Sequence, residues 1–208
     1  MAEALHHHNI CDLLKSINIL WITIMLSFVW TTISIGYYAL SLNTSNLHGD
    51  PFLNCFFSAA VEALAYILSW PLFRSCPRRL CLFAMLFLGG AVLLLTQLIP
   101  RNLSSVSTAL EMMGKFMFSV AFTIVFAFTA ELYPTVLRNT AMGICSMASR
   151  LGNISAPYFI YLGTYYKSLP YILMGSLSVF GGLLSLLLPE TYGMPLPETI
   201  NQMQTIQR

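Results

Sequence analysis

Six long apolar runs, joined by connections too short to hold a soluble domain, constrain this chain more than anything else in it. They cover approximately residues 17–42, 52–73, 80–99, 105–130, 139–163 and 169–188. Each is long enough to cross about 30 Å of hydrocarbon as an α-helix. In lipid every backbone N–H and C=O must find its partner inside the protein, so only a helix or a closed barrel will serve. A barrel needs apolar and polar residues to alternate, and none of the runs does so. The expected fold is an all-α membrane protein of six transmembrane helices, with an N-terminal segment 1–16, a bundle 17–188 and a tail 189–208. Composition agrees, because only 9% of the 208 residues are charged, against roughly 25% in a soluble domain. With 57% of its residues hydrophobic, the chain could not cover a water-facing surface. Soluble enzymes, nucleic-acid binders and disordered tails are thereby excluded.

The charges that remain are informative by position. Lys15, Arg74, Arg78, Arg79, Arg138 and Arg208 fall on one side of the expected bundle, Arg101 and Lys167 on the other. Basic residues favour the cytoplasmic side, so both termini are expected there. The net charge of +2 is spread through loops and offers no nucleic-acid surface. Cys11, Cys55, Cys76, Cys81 and Cys145 contain no C-x-x-C pair, which argues against a disulfide framework or a zinc site. No metal site is expected. His6, His7 and His8 read as a solvated tail before they read as metal ligands.

Four ionisable residues lie inside the apolar runs: Glu62, Glu111, Lys115 and Arg150. A charge at bilayer depth costs about 3 kcal/mol on insertion scales, so such residues are usually paired or functional. At 1.5 Å per residue, Glu62, Lys115 and Arg150 each sit about 15 Å from a membrane face, near the midplane. Charges from three spans at one depth suggest a shared hydrated cavity, the arrangement of a transporter. Asn54, Ser58, Glu62 and Tyr66 recur every four residues along one helix face. Gly143, Ser146, Arg150, Asn153 and Pro157 form a second polar stripe, and Trp30, Ser34, Tyr37, Tyr38 and Ser41 a polar-aromatic face able to attract a cation. Other readings stand beside these. Glu111 and Lys115 have the i, i+4 spacing of a structural ion pair, with the acid in the favourable first position. Glu62 and Arg150 could neutralise one another. Tyr37 and Tyr38 could belong to an aromatic belt.

Several segments resemble one family. ELYPTVLRN (131–139) and LPETYGMPLPETI (188–200) resemble signatures of the organic ion transporters of the major facilitator superfamily. SIGYYALSLNTSNLHGDPF (34–52), MASRLGNISAPYF (147–159) and LPYILMGSL (169–177) resemble the organic cation/carnitine transporter branch. The resemblance runs from about Asn9 to Met203. It implies one six-helix half, the C-terminal one, of a twelve-span fold in the plasma membrane. It also implies secondary transport of organic cations and of zwitterions such as carnitine, with sodium coupling for carnitine and no other cofactor. Arg150 is similar to the family position associated with the substrate carboxylate, and Glu62 to one associated with cation recognition. Ser58 and Asn153 complete the expected substrate-binding set with Tyr37 and Tyr38. Glu131 and Arg138 are expected to form a charge clamp at an inner gate, aided by Arg78 and Arg79, whose loop lacks the Asp and Gly usual in the superfamily. Glu111 departs from the apolar residue expected of this branch, and Tyr192 from a basic one. The implied partners are a small organic cation or zwitterion, the bilayer, and a missing N-terminal half or a full-length carrier. The alternative is a non-transporting six-span protein that associates with full-length carriers. An intramembrane enzyme is disfavoured, since neither H-E-x-x-H nor G-x-S-x-G occurs.

Overall fold

The computed structural model describes residues 10–206, which leaves His6–His8 and Arg208 outside the described residues. Among the described residues every regular element is a helix. They are α1 (Ile10–Lys15), α2 (Ile17–Asn43), α3 (Pro51–Ser75), α4 (Arg78–Thr96), α5 (Ser104–Leu132), α6 (Thr135–Leu162), α7 (Leu169–Ser185) and α8 (Ile200–Ile206). Four helical segments, Ile17–Asn46, Pro51–Ser75, Arg78–Thr96 and Ser104–Leu132, are long and apolar enough to cross a bilayer. α7 is a shorter apolar helix of 17 residues. α6 has 28 residues but carries Arg138, Asn139, Arg150 and Asn153, which lower its hydropathy.

Local chemistry sets the helix starts. Asp50 caps α3 by accepting the Phe52 N–H at 2.9 Å, with Pro51 at the first helical position. Gly49, at φ 107°, makes the turn into that cap in a conformation other residues resist. α4 and α6 each begin directly after a proline, Pro77 and Pro134.

Arg78 meets Glu131, which in turn binds Thr191, so the α3–α4 turn, the α5–α6 turn and the start of the tail share one end of the molecule. Residues 46–48 after α2, Gln97, Ile99 and Pro100 after α4, and Gly163, Thr164, Lys167 and Ser168 after α6 line a cavity at the other end. Helices α2 to α7 therefore alternate in direction. Lys15, Arg74, Arg78, Arg79 and Arg138 lie at the first end, and Arg101 and Lys167 at the second.

The core is built around α2. Its Leu26, Trp30 and Ile33 are buried with Leu86 and Leu93 of α4 and Phe118, Ile124 and Phe128 of α5. Small residues set the closest crossings. A Cβ on Gly152 of α6 would lie 2.9 Å from the Thr31 carbonyl oxygen, and one on Gly90 of α4 would lie 2.8 Å from that of Gly175 in α7. Ser34 of α2 and Ser149 of α6 share a hydrogen bond of 2.7 Å, and Ser178 of α7 donates to the Leu86 carbonyl at 2.6 Å. Such contacts replace a hydrophobic driving force that lipid does not supply. α3 buries only a narrow stripe of Asn54, Ser58, Ala65 and Ser69, while Phe52, Phe56, Ile67 and Trp70 are exposed. The tail folds back on the bundle: the Thr135 N–H donates to the Pro197 carbonyl at 3.3 Å, and Met203 is buried.

Candidate functional site

The polar stripe of α3 packs against α5. There Lys115, almost wholly buried, donates a hydrogen bond to Ser58 Oγ and places Nζ 3.7 Å from Glu62 Oε2. The Glu62 carboxylate also accepts from Tyr37 Oη of α2 and, at 2.9 Å, from Tyr66 Oη of its own helix. Lys115 Nζ lies 5.7 Å from the Tyr37 ring centroid. Three helices thus meet at one carboxylate, which is held by one cation and two phenols. The Glu62 side chain keeps 24% of its surface accessible against 8% for Lys115, so the acid is the member of the pair a solute can reach.

Aromatic rings extend this site along the α2–α5 seam. Tyr37 stands edge-on to Tyr38 with centroids 5.1 Å apart and lies 5.7 Å from Phe122. Phe122 and Phe126 were not legible as site residues, because in a run as apolar as 116–128 a phenylalanine carries no signal of its own. The polar-aromatic face expected on α2 divides. Tyr37 and Tyr38 border the site, whereas Trp30 donates to Thr129 Oγ1 at 3.0 Å and Ser34 bonds Ser149, both as buried helix–helix contacts.

Arg150 and Asn153 lie elsewhere. Gly143, Met147, Arg150, Ile154 and Pro157 follow one another along an exposed face of α6. Among the described residues Arg150 has no hydrogen-bond or ionic partner, and the buried Asn153 Oδ1 has none either. No contact joins Arg150 to Glu62, so the two do not neutralise one another; Glu62 is already satisfied by Lys115 and the tyrosines.

Two expected ion pairs are corrected. Glu111 does not pair with Lys115 along α5. Its Oε1 accepts from Tyr171 Oη at 2.6 Å and its Oε2 from Asn43 Nδ2 at 3.2 Å, because it faces the ends of α2 and α7 while Lys115 faces α3. Glu131 does not pair with Arg138. It binds Arg78, with Nη2 donating to Oε1 at 3.2 Å; Nε lies 3.1 Å from Oε2 but off the axis of a hydrogen bond. Thr191 Oγ1 also donates to Glu131, at 2.9 Å. Arg138 instead turns back on the α5–α6 turn, donating to the carbonyls of Ala130 at 2.7 Å and Tyr133 at 3.5 Å. Arg79 donates to the Leu188 carbonyl at 3.2 Å. Glu190 accepts the N–H groups of Arg78, Thr191 and Tyr192 on one oxygen. In the same turn Tyr133 is buried against Thr23 at 2.7 Å, and burial pushes its phenol above the ordinary value.

An apolar helical bundle in which Lys115 and Glu62 pair between two of the long apolar helices defines an integral, multi-pass α-helical membrane protein. The chain belongs to the "Sugar (and other) transporter" family, whose model matches residues 2–203. It is 55% identical over 200 residues to human "Organic cation/carnitine transporter 2", which covers 96% of this chain and 36% of that protein. It is 52% identical to mouse "Solute carrier family 22 member 4", over 95% of this chain and 36% of the relative. It is 42% identical to the Drosophila melanogaster "Organic cation transporter-like protein", over 86% of this chain and 31% of the relative. The chain therefore spans about a third of the length of these relatives.

Proposed function

We propose that this chain is the C-terminal six-helix half of a secondary carrier for organic cations and zwitterions such as carnitine, and that a second six-helix bundle completes its site. In this reading α2 to α7 all cross the plasma membrane, with the Arg78 end and both termini in the cytoplasm. The observation that carries the reading is the separation of unlike charges. Glu62 sits accessible within a cage of phenols, and Arg150 stands on the open face of α6 without a partner among the described residues. A zwitterion needs both. Its methylated ammonium suits Glu62 and the faces of Tyr37 and Tyr38. Its carboxylate suits the planar fork of Arg150, which can bind both oxygens at once, with Asn153 one turn away. A cation arriving at Glu62 competes with Lys115 for the same carboxylate, and Ser58 keeps Lys115 held when it yields.

Alternating access rocks two bundles about a midplane site. The Arg78–Glu131–Thr191 clamp joins α4, α5 and the tail at the inner end, and we assign it to closing that end, with Arg79 and Arg138 bracing the turns beside it. Sodium coupling and any ligands for it would require the second bundle.

The test is uptake. The chain alone should not concentrate carnitine above vector controls. Co-expressed with the part of human organic cation/carnitine transporter 2 that it does not match, it should. In that complete carrier Arg150→Ala should lower carnitine uptake about tenfold or more, since a charge-assisted contact is lost. Uptake of tetraethylammonium, which has no carboxylate, should hold within about threefold. Equal loss of both substrates would make Arg150 a folding residue and remove the reading.

A further inference from the structure

At the end of the bundle opposite the Arg78 clamp lies an open cavity of about 690 Å³, bordered by the ends of α2, α4 and α6, the starts of α5 and α7 and the loop after α2. It shares no lining residue with the Glu62 site. About half of its wall is polar, with hydroxyls and amides from Asn43, Gln97, Ser107, Thr108 and Thr164, and the rest is apolar, with Leu47, Ile99 and Met174. One carboxylate, Glu111, contributes to the lining while keeping only 6% of its surface exposed.

The environment of that carboxylate is unusual. Tyr171 Oη donates to one oxygen at 2.6 Å and Asn43 Nδ2 to the other at 3.2 Å, and Asn43 Nδ2 also donates to Tyr171 Oη at 2.7 Å. Both oxygens are therefore served by donors, the pattern that suits the charged acid. No lysine or arginine among the described residues pairs with it, since Lys115, one turn along α5, is committed to Glu62 and Ser58. A carboxylate has about four acceptor positions, and two are used here. A buried charge is normally paired, and among the described residues this carboxyl meets only neutral donors.

We propose that this cavity is a binding site for a small organic monocation bearing N–H donors, a primary or secondary ammonium, held by Glu111. The volume falls in the range of small-molecule sites, about 300–1,000 Å³, and far exceeds what a bare ion fills. Among the described residues no group of three His, Cys, Asp or Glu side chains could hold a metal, and this lining has a single acid. Lys167 stands in the same lining and disfavours ligands with more than one positive charge. An ammonium with N–H groups satisfies the free lone pairs of Glu111 and the surrounding hydroxyls, which a quaternary ammonium cannot. The site goes beyond the transport reading, because it is complete within this one bundle.

The experiment uses the whole chain in lipid nanodiscs, with benzylammonium as the probe and calorimetry as the readout. Benzylammonium should bind at least tenfold more tightly than benzyltrimethylammonium, and Glu111→Gln should weaken it at least tenfold. Should that variant misfold, a chain with Glu111 intact decides: in Ser107→Cys, benzylammonium should slow alkylation at position 107 at least fivefold, read by peptide mass spectrometry. Unchanged affinity in a folded Glu111→Gln variant, equal binding of the quaternary ion, or no protection at position 107 would each overturn the proposal. None of these readouts involves transport, so failure of carnitine uptake in the reconstituted carrier leaves them untouched.

Discussion

At the scale of single residues, the polar positions inside the apolar runs were easy to find, and their partners were not. Glu62, Glu111, Lys115 and Arg150 each stand out because a charge among leucines and phenylalanines has no bland explanation. Pairing depends on which way two helices are turned toward each other. A one-dimensional reading favours near neighbours, and so pairs Glu111 with Lys115 four residues on and Glu131 with Arg138 in the same turn. The bundle joined Lys115 to Glu62 across 53 positions of sequence, and Glu131 to Arg78 across the same separation. The Lys115–Glu62 pair can be measured. Lys115→Gln and Glu62→Gln should each lower the melting temperature of the purified chain, and the double variant should lose less than the sum. Because Glu62 is partly accessible, the coupling should be about 1–2 kcal/mol rather than the full value of a buried pair. Strict additivity in the double-mutant cycle would mean that the two charges do not interact.

At the scale of helices, each of the six apolar runs matches a helix of the structure to within a few residues, and four of those helices are long and apolar enough to cross a bilayer. The fourth run, read as 105–130, is α5 at Ser104–Leu132. The fifth begins four residues before its expected start, at Thr135, because Pro134 sets the first turn. The third ends at Thr96 rather than residue 99, where the chain turns ahead of Pro100. Which glycines matter was not legible, since a glycine looks alike in sequence whether it faces a helix or open space. Gly90 faces the α7 backbone, and a Cβ on Gly143 would meet no atom of another helix within 4 Å among the described residues. One substitution should therefore act in opposite directions. Gly90→Ala should force α4 and α7 apart, at about 1–3 kcal/mol for overpacking. Gly143→Ala should be neutral or stabilising by up to about 1 kcal/mol, through helix propensity alone. Thermal unfolding in one detergent, with helix content followed by circular dichroism, compares the two directly. Equal destabilisation would show that the α4–α7 crossing is looser than the structure makes it.

For the whole molecule, the decisive feature is a surface that suits neither water nor lipid. The open face of α6 presents Met147, Ile154, Tyr158 and Tyr161 with Arg150 among them, in the sixteenth position of a 28-residue helix. An arginine at that depth facing acyl chains costs about 3 kcal/mol on insertion scales, while leucine is favourable by a few tenths. The sequence marked Arg150 as costly, and only the packing reveals that its own bundle leaves the cost unrelieved. A face of this kind is stable when another surface covers it and water reaches it. The consequence is a change of sign with context. In the chain alone, Arg150→Leu should make α6 insert more readily, by about 3 kcal/mol, as read by a glycosylation-reporter insertion assay, and should raise the melting temperature of the purified chain. In the two-bundle carrier proposed above, the same change should abolish carnitine uptake while surface expression is maintained. If Arg150→Leu instead destabilises the isolated chain, the guanidinium already has a favourable environment within this bundle. The open face of α6 would then be a lipid surface, and no second bundle would be needed to cover it.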